Sequence, residues 1–312
     1  MSTSKPSSWS ERLYIFFTGV CMGAADIVPG VSGGTMAFIM GIYQDLLDAI
    51  KSFDVTLVRK VLRFDLKAVF VQIPWQFLLL LAAGLAASVL SLAGALHHAY
   101  EHQRLFLYSF FFGLVLASAV LLARDVPWTP RRAGGLILGT LIGYLAVTVA
   151  PVDQLPSTFL VHTLCGAVAI TAMILPGISG SFILLILGKY DTAIASVKEL
   201  DVLTLTPFAL GAVLGLLAFT RLLSWLLHRW HHLAVATLIG FMIGSLRKLF
   251  PWKEATNIMV RDGEILVLED KLILPELNRD FAIALLLMLA GMLLIGLIEW
   301  IRKRRLSGVE SR

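Results

Sequence analysis

Twice in this chain a Pro-Gly-x-Ser-Gly sequence interrupts a segment that is otherwise almost wholly apolar. The stretches are ADIVPGVSGGTMAFIMGIY at 25–43 and TAMILPGISGSFILLILGKY at 171–190. Proline has no N–H and clashes with the preceding turn, and glycine is a poor helix former, so neither stretch is expected to run as one straight helix. Backbone groups freed inside an oily environment must be satisfied by protein, water or ligand. That requirement limits the chain to a few architectures.

The environment is lipid. Of 312 residues, 58% are hydrophobic and 15% are charged, where a soluble domain carries about 25% charged residues. Apolar runs near 76–96, 105–123, 133–150, 206–227, 232–246 and 281–301 are long enough, or nearly so, to cross a hydrocarbon layer. The reading is an all-α polytopic membrane protein. The N-terminal stretch MSTSKPSSWSERLYIFF shows no small-residue cleavage site after a short apolar core, so no removable signal peptide is expected. Cys21 and Cys165 lie in apolar segments and read as small buried hydrophobes.

The two breaks belong to an internal repeat. An offset of 147 carries Ala25, Ile27, Pro29, Gly30, Ser32, Gly33, Ile39, Gly41, Tyr43 and Lys51 onto identical residues from Ala172 to Lys198. Beyond this block an offset of 131 carries Phe77, Gly84, His97, Phe110 and Gly113 onto Phe208, Gly215, His228, Phe241 and Gly244. A longer first-half loop around 52–75 absorbs the difference. The expected organisation is a first repeat over 1–150 and a second over 151–312, joined in one membrane domain. Each repeat would hold a re-entrant or broken helix pair (11–50; 158–197) followed by three transmembrane helices. Such a unit crosses the membrane an odd number of times, which sets the repeats in opposite orientations.

Loop charge agrees with that plan. Lys51, Arg59, Lys60, Arg63 and Lys67 share one loop, Arg124, Arg131 and Arg132 another, and Arg302, Lys303, Arg304 and Arg305 end the chain. The short opposite loops, 97–104, 151–157 and 198–205, hold only Arg104 and Lys198, and the long loop 250–279 is mixed in charge and weighs less. Positive charge marks the cytoplasmic side, so both termini are expected there. The net charge of +5 is accounted for by this placement, and no nucleic-acid partner is expected. On the other side, NIMVRDGEILVLED alternates around Asp262-Gly263 and reads as a small extracytoplasmic β-hairpin near 257–270.

The breaks suit anion chemistry. Glycine allows close approach to backbone, and helices restarting at Gly33–Thr35 and Gly180–Phe182 would aim N–H groups and a positive dipole end into each break. Ser32, Thr35, Ser179 and Ser181 add hydroxyls, a set that suits a phosphate or carboxylate. Close packing of small residues is the competing explanation for one such motif; the opposed pair favours binding. Asp26 precedes the first break where the second has Met173, and is a candidate carrier of a coupling proton or sodium ion or, equally, a helix cap. Arg247 and Lys248 either meet the phosphate or reach an interface, whereas Arg221 and Lys189 read as snorkelling side chains. The histidines, including His98 and His102, read as packing or loop residues, so no metal or cofactor is expected.

GAADIVPGVSGGTMAFIMGIYQDLLDAI, ILPGISGSFILLILGKY, SFFFGLVLAS and GFMIGSLRKLFPW resemble the bacterial polyprenyl-phosphate transporter family over nearly the whole chain. The resemblance implies inverted repeats with re-entrant segments and the inward translocation of undecaprenyl phosphate, a lipid carrier released by cell-wall and surface-polymer synthesis. Carried over by position, Pro29, Gly30, Ser32, Gly33, Gly34 and Thr35 form one half of the head-group site. Pro176, Gly177, Ser179, Gly180 and Ser181 form the other. A membrane phosphatase for undecaprenyl pyrophosphate, whose motif resembles PGxSRSG, is the enzymatic alternative. Here Gly33 and Gly180 stand where its arginine would, and no positive charge adjoins the serines, so an enzyme is not expected. An ion or small-anion transporter is the other alternative. The coupling ion and the oligomeric state are not legible.

Overall fold

The computed structural model describes residues 6, 8–28, 30–149, 155–261 and 264–310. The chain divides into two compact units, Met1–Leu96 with Ala150–Ala234, and His97–Val149 with Val235–Arg312. Each unit therefore takes segments from both halves of the sequence.

The first unit opens with α1 (Trp9–Ile27), started by a capping box in which Ser8 and Glu11 satisfy each other's backbone N–H groups. After the break come α2 (Gly33–Ile39) and α3 (Tyr43–Lys51). The segment 52–75, expected as a loop, instead forms α4 (Val55–Leu62) and α5 (Leu66–Gln72). Asp54 and Asp65 cap them by accepting from Leu57 N–H at 2.8 Å and Ala68 N–H at 3.0 Å. Gln72 ties the pair together by donating to Ser52 O and to Asp54 Oδ1. α6 (Trp75–His102) runs on into the second unit.

From the second half, the first unit takes α9 (Phe159–Ile174), α10 (Gly180–Ile186), α11 (Tyr190–Lys198) and α12 (Val202–Arg229). α10 and α11 meet at a bend of 117°. The element order of the first half recurs here, and both short helices begin and end at positions related by the same offset of 147. Glycine mediates the packing in both halves. Gly19 of α1 lies against the α6 backbone at Leu81, and Gly84 of α6 against Phe16. Gly166 of α9 lies against Phe208 of α12, and Gly211 and Gly215 against Thr163 and Ala167. Absent side chains let helix backbones approach, the usual basis of close helix packing in lipid.

The second unit contains α7 (Arg104–Arg124), α8 (Pro130–Thr148), most of α13 (His231–Leu249), two strands and α14 (Arg279–Glu310). Gly113 of α7 meets Met288 of α14, and Gly291 of α14 meets Phe110. Gly139 and Gly143 of α8 interlock with Gly240 and Gly244 of α13. β1 (Lys253–Arg261) pairs antiparallel with β2 (Glu264–Leu272), with the ladder irregular around Asn257.

Among the described residues, five helices are long and apolar enough to span a membrane: Trp75–His102, Arg104–Arg124, Val202–Arg229, His231–Leu249 and Arg279–Trp300. The chain is a multi-pass helical membrane protein.

Candidate functional site

Both motif copies lie in the first unit, and hydrogen bonds join them directly. Ser32 Oγ donates to Met173 O at 2.9 Å. Gly177 N–H donates to Thr35 Oγ1 at 2.8 Å, and Tyr43 Oη–H donates to Ile174 O at 3.0 Å. Gly34 lies so close to the second copy that a Cβ there would stand 2.6 Å from Ile174 O and 2.7 Å from Met173 O. Gly30 and Gly177 occupy the left-handed region, with φ of 90° and 106°, which other residues reach only under strain. Pro29 lies outside the described residues, while Pro176, Gly177 and Gly180 are buried.

The copies differ in how their polar groups are satisfied. In the first, Asp26 Oδ1 accepts from Gly33 N–H at 2.6 Å, and Ser32 Oγ accepts from Gly34 N–H at 3.1 Å. The carboxylate and the hydroxyl thus occupy the positive end of α2, and residues 30–40, through α2 and its cap, are buried. In the second, Ser179 makes no cap bond to α10. Its hydroxyl lies 2.7 Å from that of Ser181, Ser179 is half-buried and Ser181 is exposed. The first copy answers its N–H groups from within the chain, and the second keeps a pair of hydroxyls at its surface.

Arg247 and Lys248 lie in the second unit, near the end of α13. Arg247 Nη1 donates to Asp270 Oδ1 at 2.6 Å and its Nη2 to Asp270 O at 2.7 Å. Lys248 Nζ and Lys253 Nζ stand 3.8 and 3.3 Å from Asp270 Oδ2. Lys253 also covers the Tyr108 ring at 4.3 Å from its centroid and donates to Lys248 O. Burial holds the Lys253 ammonium down to about 8, against the pull of Asp270. Burial raises Asp270, but Lys253, Lys248 and Arg247 outweigh it and hold the carboxyl below its usual value. The residues anchor β2 to α13 through one shared carboxylate.

Arg221 is exposed and donates to Leu217 O and Phe53 O, at 2.9 and 3.5 Å. Lys189 departs from the snorkelling expectation. It is 4% exposed, and its Nζ donates to Ser157 Oγ at 2.9 Å. Hydropathy around position 189 could not separate a lysine that reaches water from one folded inward, because the stem is apolar in both cases.

The family model for undecaprenyl phosphate translocase-like proteins matches residues 22–266. A polyprenyl-phosphate transporter of Vibrio cholerae serotype O1 is 38% identical over 301 residues, covering 93% of this chain and 97% of that protein. A polyprenyl-phosphate transporter of Staphylococcus aureus is 26% identical over 263 residues, covering 78% of this chain and 87% of that protein. No solved structure matches the chain.

Proposed function

This chain belongs to the undecaprenyl phosphate translocase-like family, and from that premise we propose that it carries undecaprenyl phosphate from the outer to the cytoplasmic leaflet of a bacterial inner membrane. The reading returns a spent lipid carrier for cell-wall and surface-polymer synthesis. It sets both termini in the cytoplasm and the two repeats in opposite orientations, with transport by alternating access.

The observation that carries the reading is the unequal pair of breaks. The second copy offers the hydroxyls of Ser179 and Ser181 beside the restart of α10, and these are the proposed phosphate contacts. The first copy is the proposed brace, held by Asp26 and Ser32 and linked through Thr35 to Gly177. Asp26 is the group whose charge a bound proton or sodium ion would cancel, and cancelling it would weaken its charge-assisted bond to Gly33. That makes it the proposed coupling residue. Arg247 and Lys248, in a cluster of three cations around one carboxylate among the described residues, keep positive charge that favours a phosphate. Binding without cleavage fits the absence of a cation beside the motif serines in sequence.

The test is reconstitution in liposomes carrying head-labelled undecaprenyl phosphate, following label accessibility and released phosphate together. Exchange of accessibility without phosphate release is expected. Phosphate release would make the chain a phosphatase, and the absence of any exchange would remove the transport reading.

A further inference from the structure

The second motif copy carries a buried cation that the first lacks. Lys189 precedes α11, and the offset of 147 carries Ile42 onto it. Ile42 is fully buried, so the fold fills this position with an apolar side chain in one copy and with a lysine in the other. Lys189 is 4% exposed, and among the described residues its Nζ donates to one group, the hydroxyl of Ser157 at 2.9 Å. Among the described residues no carboxylate stands within ion-pair distance of it.

A second unanswered group is nearby. His162, in the first turns of α9, is 6% exposed and stacks on Phe208 with ring centroids 4.7 Å apart. Among the described residues its buried Nε2 has no hydrogen-bond partner. His162 lies in the first turn of α9, just after Ser157, whose hydroxyl Lys189 reaches. Ser157 is exposed, so the ammonium lies just beneath the surface at the start of α9 rather than deep in the fold.

Among the described residues the buried ammonium has one neutral partner and the buried imidazole nitrogen none, and burial on those terms is costly. Both costs are met by one ligand: an anion with several acceptor oxygens, small enough to sit behind Ser157. We infer that Lys189, Ser157 and His162 form a receiving site for a phosphate monoester, separate from the Pro-Gly-x-Ser-Gly breaks and one short helix away from the second of them. Lys189 Nζ supplies the charge. The Ser157 hydroxyl, which accepts from Lys189, donates its own proton to a phosphate oxygen. His162 donates from Nε2 in the tautomer that carries the proton there. The inference rests on reading the chain as a carrier of a lipid phosphate, and it names where the head group is first held.

The experiment is equilibrium binding to the purified full-length chain, with radiolabelled polyprenyl phosphate, the matching polyprenol and inorganic phosphate as probes. K189M is expected to weaken polyprenyl phosphate binding about 10- to 100-fold, the scale of one lost charge-assisted hydrogen bond, and to leave polyprenol binding unchanged. K189R keeps the charge and should retain most of the affinity. Competition by inorganic phosphate would show that free phosphate also enters the site; its absence, with K189M still weakened, would assign the site to the lipid head group alone. Wild-type affinity in a folded K189M overturns the inference. If K189M does not fold, S157A decides, since it removes one exposed hydroxyl: weaker phosphate binding supports the site and unchanged binding overturns it. Transport by the S179A/S181A double variant separates the two readings. Lost transport there with normal binding in K189M leaves the transport reading standing and removes this one; the reverse pattern removes the proposed role of the breaks.

Discussion

The two Pro-Gly-x-Ser-Gly copies share their motif letters and their helix boundaries, yet one is closed and the other open. The first holds Asp26 against Gly33 N–H and Ser32 against Gly34 N–H, inside a run of buried residues. The second replaces the aspartate by Met173 and leaves Ser179 and Ser181 bonded to each other at the surface. A backbone break in lipid needs an answer for its polar groups, and the copies obtain it from different sources. A duplicated motif therefore specifies a duplicated backbone, and the residues just outside it decide which copy has room for a ligand.

Substitutions at six positions, five of them in the two copies and one at a carboxylate outside them, would break or sharpen that contrast. The largest effect is expected where an internal anion answers the most charge, at Asp270. D270A leaves Arg247, Lys248 and Lys253 without their shared carboxylate, and unfolding followed by denaturant should show a loss of about 3–5 kcal/mol. The same carboxylate sets an acid limit. Its folded value lies below the unfolded one, so its contribution is complete above about pH 4 and is lost as pH falls through the lowered value. Stability curves for wild type and D270A should converge in acid; parallel curves would deny the carboxylate that role.

Exchanging the residues at one repeat-related position comes next. Gly34 corresponds to Ser181, and G34S would drive a Cβ against the carbonyls of Ile174 and Met173. A loss of about 1–3 kcal/mol is expected, together with transport. S181G touches an exposed side chain and should change stability by no more than about 0.5 kcal/mol. Equal losses in the two variants would mean that the copies are equally packed.

Asp26 separates bracing from coupling. D26A leaves Gly33 N–H without its partner and should lower stability by about 1–3 kcal/mol in the same denaturation assay. D26N keeps an acceptor, so it should fold while ion-dependent transport into liposomes falls. Wild-type transport in D26N would discard the coupling role.

The smallest effects are at the motif serines. S32A removes the α2 cap and the bond to Met173 O, for about 1 kcal/mol of stability. S179A removes no cap and should leave the melting temperature nearly unchanged, while slowing transport about tenfold through one lost ligand bond. A thermal shift as large as that of S32A would show that the second copy is braced after all.

Parts of this were legible before any coordinates. The 147-residue offset predicted where the chain breaks, and the short helices after both breaks start at the residues that follow the motif serines. Long apolar runs predicted the long helices, since a helix in lipid satisfies its own backbone. The segment 52–75 carries Asp54 and Asp65 at two helix starts, a local signal set within dense positive charge that by itself reads as a loop. For Asp26 a capping role and a coupling role are equally open in the sequence, and its bond to Gly33 N–H puts it at the start of α2 beside the Ser32 cap without touching the coupling role.

The sequence by itself determined the solvent, the helical class and the position of each break, because these follow from local composition and from the repeat, and its likeness to known proteins supplied the family. Only the tertiary structure decided how the polar groups are shared. Met173 O and Gly177 N–H find Ser32 and Thr35 from the other half of the chain, and Asp270 draws together cations from α13 and β1. Lys189 is a snorkelling side chain by its neighbours in sequence and a buried ammonium by its neighbours in space. The reason is that a polar group inside lipid is answered by whatever lies within hydrogen-bond reach, and packing can bring that partner from a segment more than a hundred residues away.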